Sequence, residues 1–168
     1  VNKDLRSKLA KTEMLILDVD GVLTDGRLFY GSGGIEMKAF HAHDGFGLKK
    51  IQLEGISIAI VSGRTSDIVE KRAKELNIRF LFQNVAEKNE VLEELRQESG
   101  IEPRHMAHVG DDLPDLALFH SVGLGIAVAN ARVEVRKSAD FVTKAKGGEG
   151  AVREVCELIL ASRLEENE

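Results

Sequence analysis

The sequence predicts an α/β fold, a doubly wound parallel sheet with helices on both faces. Three observations carry that prediction. Short aliphatic runs alternate with amphipathic stretches of helical period; each run is followed by Gly or polar residues; and the residues suited to chemistry fall just after the runs. Parallel neighbours joined in this way need right-handed crossovers.

In chain order, the runs are Met14 to Leu17, Ser57 to Val61, Phe80 to Phe82, Met106 to Val109 and Leu124 to Val128. They are short and mainly aliphatic, as strands covered on both faces are. Ile68, Val69, Arg72, Ala73 and Leu76 lie on one face of a helix, as do Val91, Leu92 and Leu95, and again Val152, Val155, Cys156, Ile159 and Leu160. One segment breaks the alternation. Arg27 to Tyr30 and Glu36 to Phe40 are strand-like, and Gly31-Ser32-Gly33-Gly34 between them can supply the positive φ angles of a hairpin loop. An antiparallel hairpin over about 27–40 is therefore expected to project after the first strand. The charged tail from Arg163 to Glu168 reads as a frayed terminus. Residues 1–168 read as one domain, without internal repeats.

Composition narrows the function classes. The 168 residues are 43% hydrophobic and 30% charged, enough for one sizeable core. A formal net charge of −5 argues against coating nucleic acid or an anionic membrane and favours a small-molecule substrate. The single cysteine, Cys156, excludes an internal disulfide and falls on an apolar helix stripe, where it reads as core. No apolar run has the length of a membrane span or signal-peptide core, so a cytoplasmic location is expected.

Ligands of open parallel sheets bind outside the carboxyl ends of the strands. The first strand delivers Asp18 and Asp20 there, in Asp-Val-Asp-Gly-Val-Leu-Thr-Asp. The second delivers Ser62, the third is followed by Lys88 at a helix start, and the fourth delivers Asp111 and Asp112 in Gly-Asp-Asp-Leu-Pro-Asp. Several carboxylates in one place need a compensating cation. An all-oxygen donor set favours a hard ion, Mg²⁺. Asp18 can then act as nucleophile on a phosphoryl group, with Asp20 reaching the leaving oxygen as general acid and base. Ser62 and Lys88 suit the equatorial oxygens. Asp115 is open between a place in this site and a solvated position in a helix's first turn.

These residues resemble the four motifs of the haloacid dehalogenase superfamily of phosphatases, in order and over most of the chain: Asp18-Val-Asp-Gly-Val-Leu-Thr, Ser62, Lys88 and Gly110-Asp111-Asp112. The resemblance implies that Asp18, the backbone carbonyl of Asp20 and Asp111 bind Mg²⁺, with Asp112 beside them. The intervals between motifs leave no room for a cap domain, so the chain resembles the capless members, which accept large substrates or borrow a lid from a neighbouring subunit. Lys38-Ala39-Phe40, Asp44-Gly45 and Gly147-Gly148-Glu149-Gly150-Ala151-Val152-Arg153-Glu154 are similar to the 3-deoxy-D-manno-octulosonate (KDO) 8-phosphate phosphatase family. That family releases phosphate from an eight-carbon sugar acid on the way to bacterial lipopolysaccharide. The resemblance further implies a homotetramer, in which hairpins pack together and a neighbour's C-terminal tail helps close the site. It places substrate contacts at Asp20, His41, Ala42, His43, Asp44, Gly45, Lys49, Arg64, Arg72 and Lys88. Guanidinium groups such as Arg64 and Arg72 suit carboxylate and phosphate.

The chain departs from that family where Asn-x-Arg-Asp-Gly is common: it has His41-Ala42-His43-Asp44-Gly45, with Lys49 where Arg is common. A phosphatase for a nine-carbon, sialic-acid-type 9-phosphate is the near alternative. A receiver-type or catalytically silent regulatory domain is the alternative of another class; the Asp18-Val-Asp20 pair and Asp111-Asp112 weigh against it. His105, His108 and His120 stand in no motif and read as packing or surface residues. Gly147 to Gly150 can present N–H groups to an anion, or can serve backbone shape alone.

Overall fold

The computed structural model describes residues 2–166. Helix α1 (Lys3–Ala10) comes first, with the Asn2 side chain accepting the Leu5 amide at 2.8 Å as its N-cap. Then follow β1 (Met14–Leu17), β2 (Phe29–Tyr30), β3 (Glu36–Met37), α2 (Ala42–Leu53), β4 (Ser57–Val61), α3 (Asp67–Glu75), β5 (Phe80–Phe82) and α4 (Val91–Ser99). The second half holds β6 (Met106–Gly110), α5 (Leu116–Phe119), β7 (Leu124–Ala127), α6 (Val133–Ser138), β8 (Phe141–Val142) and α7 (Ala151–Glu166). No described helix is long and apolar enough to cross a membrane.

Six strands form a parallel sheet in the order β5-β4-β1-β6-β7-β8. The chain runs outward from β1 through β4 to β5, then returns to the other side of β1, so the topology reverses at β1. Alternation along β1 splits the core. Leu15 and Leu17 face one layer with Leu5, Leu9, Leu48, Ile51, Val155 and Ile159, drawn from α1, α2 and α7. Met14 and Ile16 face the other with Val91, Leu92, Leu95 and Leu118, drawn from α4 and α5. The α/β doubly wound fold is thus as expected, and the five anticipated strands stand where the aliphatic runs placed them.

Several elements differ from expectation. The hairpin's ladder is shorter than 27–40: only Phe29 with Met37 and Tyr30 with Glu36 are paired. Gly33 and Gly34 supply its positive φ angles, +76° and +80°, but Lys38 leaves the ladder and turns back toward β1's end. Strand β8 has no signal in the sequence because two residues carry no period. Helix α6 exposes most of its length, and Leu5 and Leu9 are a thin signal for α1. Arg163 is not frayed: within α7 its guanidinium donates to the Glu54 carbonyl at 2.9 Å and the Thr12 carbonyl at 2.7 Å. The last two residues of the expected tail, 167–168, lie outside the described residues.

Register places the chemistry. Leu17 is level with Ile60 and Val109, so Asp18, Ser62 and Asp111 emerge at one edge of the sheet. Between Asp20 and Ser62 the chain spends its residues on the hairpin, α2 and β4, and no cap domain is inserted.

Candidate active site

After β1 the chain makes a tight turn in which Asp20 (φ −77°, ψ 108°) precedes Gly21 (φ +100°), the pattern of a type II turn. Glycine is needed here twice. Its φ lies in the left-handed region, and a Cβ would overlap the Asp111 carboxylate packed against it. Gly147 makes the matching approach from the other side, since a Cβ there would overlap the Gly21 carbonyl oxygen, and its amide donates to Asn130 Oδ1 at 2.9 Å. The Gly147–Gly150 loop therefore serves close backbone approach to the Asp18–Thr24 turn.

Asp18, Asp20, Ser62, Arg64, Lys88, Asp111 and Asp112 line one open cleft of about 520 Å³, a volume suited to a small ligand. Asp18 is buried, and its Oδ1 accepts from Lys88 Nζ at 2.8 Å. The same ammonium donates to Asp115 Oδ1 at 2.6 Å. Ser62 is buried, and its Oγ accepts the Arg64 amide at 3.3 Å. Arg64 reaches across to the Tyr30 hydroxyl, and its Nε lies 3.8 Å from Asp20 Oδ2. Asp112 is exposed and caps the turn that follows, accepting the Leu113 amide at 2.8 Å.

Asp115 is settled as a buried member of the site, against the solvated alternative. Its Oδ1 faces Lys88 Nζ and, at 2.8 Å, His108 Nε2, while Oδ2 accepts the amides of Asp111 and Asp112 at 2.9 and 3.1 Å. It thereby holds Lys88 and shapes the Asp111 loop. His108 is the residue that sequence reasoning missed. It is fully buried, with Nδ1 3.2 Å from the Ile16 carbonyl oxygen. Its only signal was a polar residue inside an otherwise apolar strand.

Electrostatics reflect the crowding of carboxylates. Burial raises the Asp18 carboxyl above its ordinary value, and Asp115 adds to this, although Lys88 opposes it. Burial, reinforced by Asp18 and Asp115, pushes Asp111 up to about 8. Asp115 goes the other way: burial opposes its charge, but His108 and Lys88 hold it well below the usual carboxylate range. Burial also disfavours the Lys88 ammonium, yet the two adjacent carboxylates raise its pKa. Oxygens of Asp18, Asp111 and Asp115 lie within 4.8 Å of one another, a grouping that could hold a metal ion. Because both Asp115 oxygens are engaged by donors, Asp18 and Asp111 are the better side-chain ligands. An all-oxygen set whose ionisation is suppressed by burial, with repulsion between the carboxylates adding to it, fits a hard divalent cation.

This has a consequence for stability. Asp18 and Asp111 have folded pKa values above the unfolded ones, so their contribution is fully present below about pH 4 and is lost as pH rises through about 8 for Asp111. A cation that takes the ionised carboxylates offsets that loss. Mg²⁺ is expected to raise the melting temperature by several degrees at pH 8.5 but by only about 1 °C at pH 5.5. Melting curves with Mg²⁺ and with chelator check this, and equal shifts at the two pH values would refute it.

His41, Ala42, His43, Asp44, Gly45, Lys49 and Arg72 do not line the cleft of their own chain. His41 to Gly45 form the start of α2, Lys49 lies further along that helix and Arg72 is on α3. His41 Nδ1 accepts the His43 amide at 3.3 Å, and Asp44 is buried with Oδ1 accepting the Arg153 amide at 2.8 Å. A Cβ on Gly45 would stand 2.6 Å from Arg72 Nη2, and the Arg72 guanidinium carbon lies 5.6 Å from the Phe40 ring centre. Lys49 is exposed, and Cys156 is plain core, its thiol pushed up by burial.

Comparison with known proteins agrees with this geometry. Residues 80–155 match the family model of haloacid dehalogenase-like hydrolases. The KDO 8-phosphate phosphatase KdsC of Escherichia coli K12 is 42% identical over 163 residues, covering 97% of this chain and 87% of that one. A crystal structure of the Yersinia pestis KDO 8-phosphate phosphatase superposes with a TM-score of 0.96 at 40% identity, covering 99% of this chain and 90% of that chain. The Moraxella catarrhalis phosphatase, solved in complex with a magnesium ion, a phosphate ion and KDO, gives a TM-score of 0.95 at 42% identity over 99% of this chain and 96% of that chain. From its four motifs, its capless sheet and these relatives, the chain belongs to the KDO 8-phosphate phosphatase family of haloacid dehalogenase-like hydrolases.

Proposed function

We propose that this protein hydrolyses KDO 8-phosphate to KDO and phosphate, through a covalent phosphoryl-enzyme on Asp18. The observation that carries the reading is the convergence of Asp18, Asp20, Ser62, Lys88 and Asp111 on one cleft, in a relative of a phosphatase solved with magnesium, phosphate and KDO. Lys88 occupies Asp18 Oδ1, which leaves Oδ2 to attack phosphorus. As the new P–O bond forms and the ester P–O bond breaks, Asp20 gives its proton to the departing alkoxide. The Asp20 carboxylate then takes a proton from water, whose oxygen attacks the same phosphorus and releases phosphate from Asp18. Ser62 Oγ and Lys88 Nζ hold the transferring oxygens throughout. Asp18, the Asp20 carbonyl and Asp111 would bind Mg²⁺, which supplies positive charge against the phosphoryl oxygens.

The α2 cluster of His41, His43, Asp44, Lys49 and Arg72 is assigned to the sugar acid, supplied across a subunit contact in a homotetramer. Its placement outside its own chain's cleft supports that assignment, as do the exposed hairpin residues Phe29, Tyr30, Ile35 and Met37. Sedimentation should give a tetramer, and a monomer with full activity would remove this part. A cytoplasmic location fits a phosphorylated, small-molecule substrate.

A second reading is a nine-carbon, sialic-acid-type 9-phosphate, left open by His41 and His43 in place of the family's usual residues. Phosphate release from both sugar acid phosphates and from simple sugar phosphates, with Mg²⁺ and with chelator, decides between them. Preference for KDO 8-phosphate is expected. Absence of Mg²⁺-dependent release from any sugar acid phosphate would overturn the assignment.

A further inference from the structure

Lys38 has a buried side chain to which the catalytic scheme gives no task. Its side chain is 1% exposed, and an ammonium is retained in such a place only when it is paired and hydrogen-bonded. Its partners are specific. Nζ donates to Asp20 Oδ1 at 2.6 Å and lies 3.3 Å from Glu36 Oε1. Glu36 Oε2 accepts from Ser66 Oγ at 3.0 Å, and the Ser66 amide donates to Gln83 Oε1 at 2.8 Å. A chain of contacts thus runs from the loops after β4 and β5, through the hairpin, to Asp20.

Nothing else holds the Asp20 carboxylate so directly. Among the described residues the Lys38 bond is its one hydrogen bond, since Arg64 Nε at 3.8 Å from Oδ2 is beyond hydrogen-bond reach. Asp20 belongs to neither helix nor strand of regular geometry, with φ −77° and ψ 108°. The ammonium is thus the direct tether of its carboxylate. It also divides the two oxygens, engaging Oδ1 and leaving Oδ2 on the side of Arg64 and the cleft.

We infer that Lys38 is a positioning residue for Asp20: the segment leaving the hairpin clamps one oxygen of the acid–base carboxylate so that the other can pass a proton between leaving group and water. The inference rests on the phosphatase reading above. It makes the hairpin part of the catalytic geometry of its own chain, apart from any role in assembly.

The test measures kcat and KM of Lys38→Met and Lys38→Arg on KDO 8-phosphate and on p-nitrophenyl phosphate. Because positioned acid–base groups contribute about 10²–10⁴-fold, Lys38→Met is expected to lower kcat about 10- to 100-fold. KM should stay within about threefold, and Lys38→Arg should recover to within about fivefold of wild type. In an Asp20→Asn background, assayed on the aryl phosphate whose leaving group needs little protonation, Lys38→Met should cost less than about twofold more. Should Lys38→Met fail to fold, Lys38→Gln is read in the same way. Unchanged kcat, a loss carried by KM, or a full additional loss in the Asp20→Asn background would each overturn the inference. Wild-type turnover keeps the two readings apart: a wild type active on the aryl phosphate alone loses the substrate assignment while still deciding Lys38.

Discussion

Asp18→Asn is expected to abolish turnover, with phosphate release falling by at least about 10⁴-fold, because an amide cannot form the acyl phosphate on which both halves of the reaction depend. The fold should survive the change. Asp18 sits where burial already disfavours its charge, and Asn keeps the volume and an oxygen for Lys88. A colorimetric phosphate assay on the sugar acid phosphate measures the loss, and a melting curve confirms the fold. Substantial release from a folded Asp18→Asn variant would remove Asp18 as nucleophile. Water would then have to attack directly, and the cleft would need another base.

Lys88→Met should damage both activity and stability. The ammonium is the buried, shared partner of Asp18 and Asp115 in the cleft. Removing one member of a buried ion pair leaves uncompensated charge, at a cost of about 3–5 kcal/mol. Activity should fall by about 10²–10³-fold, as when one preorganised donor to a transition-state oxygen is lost. The pH dependence has a definite sign. Lys88 has a raised folded pKa, so its contribution is fully present below the unfolded value near 10.4 and is lost only above that. At neutral pH the full destabilisation is therefore expected. It should shrink in acid as Asp18 takes up a proton and no longer needs the ammonium. Urea unfolding of wild type and Lys88→Met at pH 5 and pH 8 checks this. An equal difference at both values would mean that Lys88 acts mainly through packing of its stem.

Several features of the protein are local and could be read without coordinates. Aliphatic runs such as Met14–Leu17 and Ser57–Val61 specify buried strands because few other structures can absorb them. Their alternation with helix-period stretches specifies the crossovers. Given that sheet, the residue that follows each run must stand at the carboxyl edge, so Asp18, Ser62 and Asp111 could be placed together from spacing alone.

The remainder depended on contacts between residues distant in sequence. Asp115 looked like an ordinary helix-start carboxylate, and only the approach of Lys88, 27 residues away, and of His108 made it a fixed part of the site. His108 carried no motif, since its role lies in facing Asp115 from inside a strand. Lys38 reaches Asp20 across 18 residues because the hairpin ladder stops early at Met37. Neither propensity nor period encodes that stopping point. The α2 cluster shows the limit from the other side: motif resemblance grouped His41 to Gly45, Lys49 and Arg72 with the cleft, whereas in the folded chain Asp44 pairs with α7, Arg72 stands over Phe40 and none of the set lines that cleft. By itself, the sequence determined the sheet, its functional edge and the place of Asp18 on that edge, because hydrophobic period and strand-end position are local properties. The tertiary structure alone decided which charges are paired and which oxygens are left free, because burial and hydrogen-bond geometry arise only when the crossovers bring separate strand ends together.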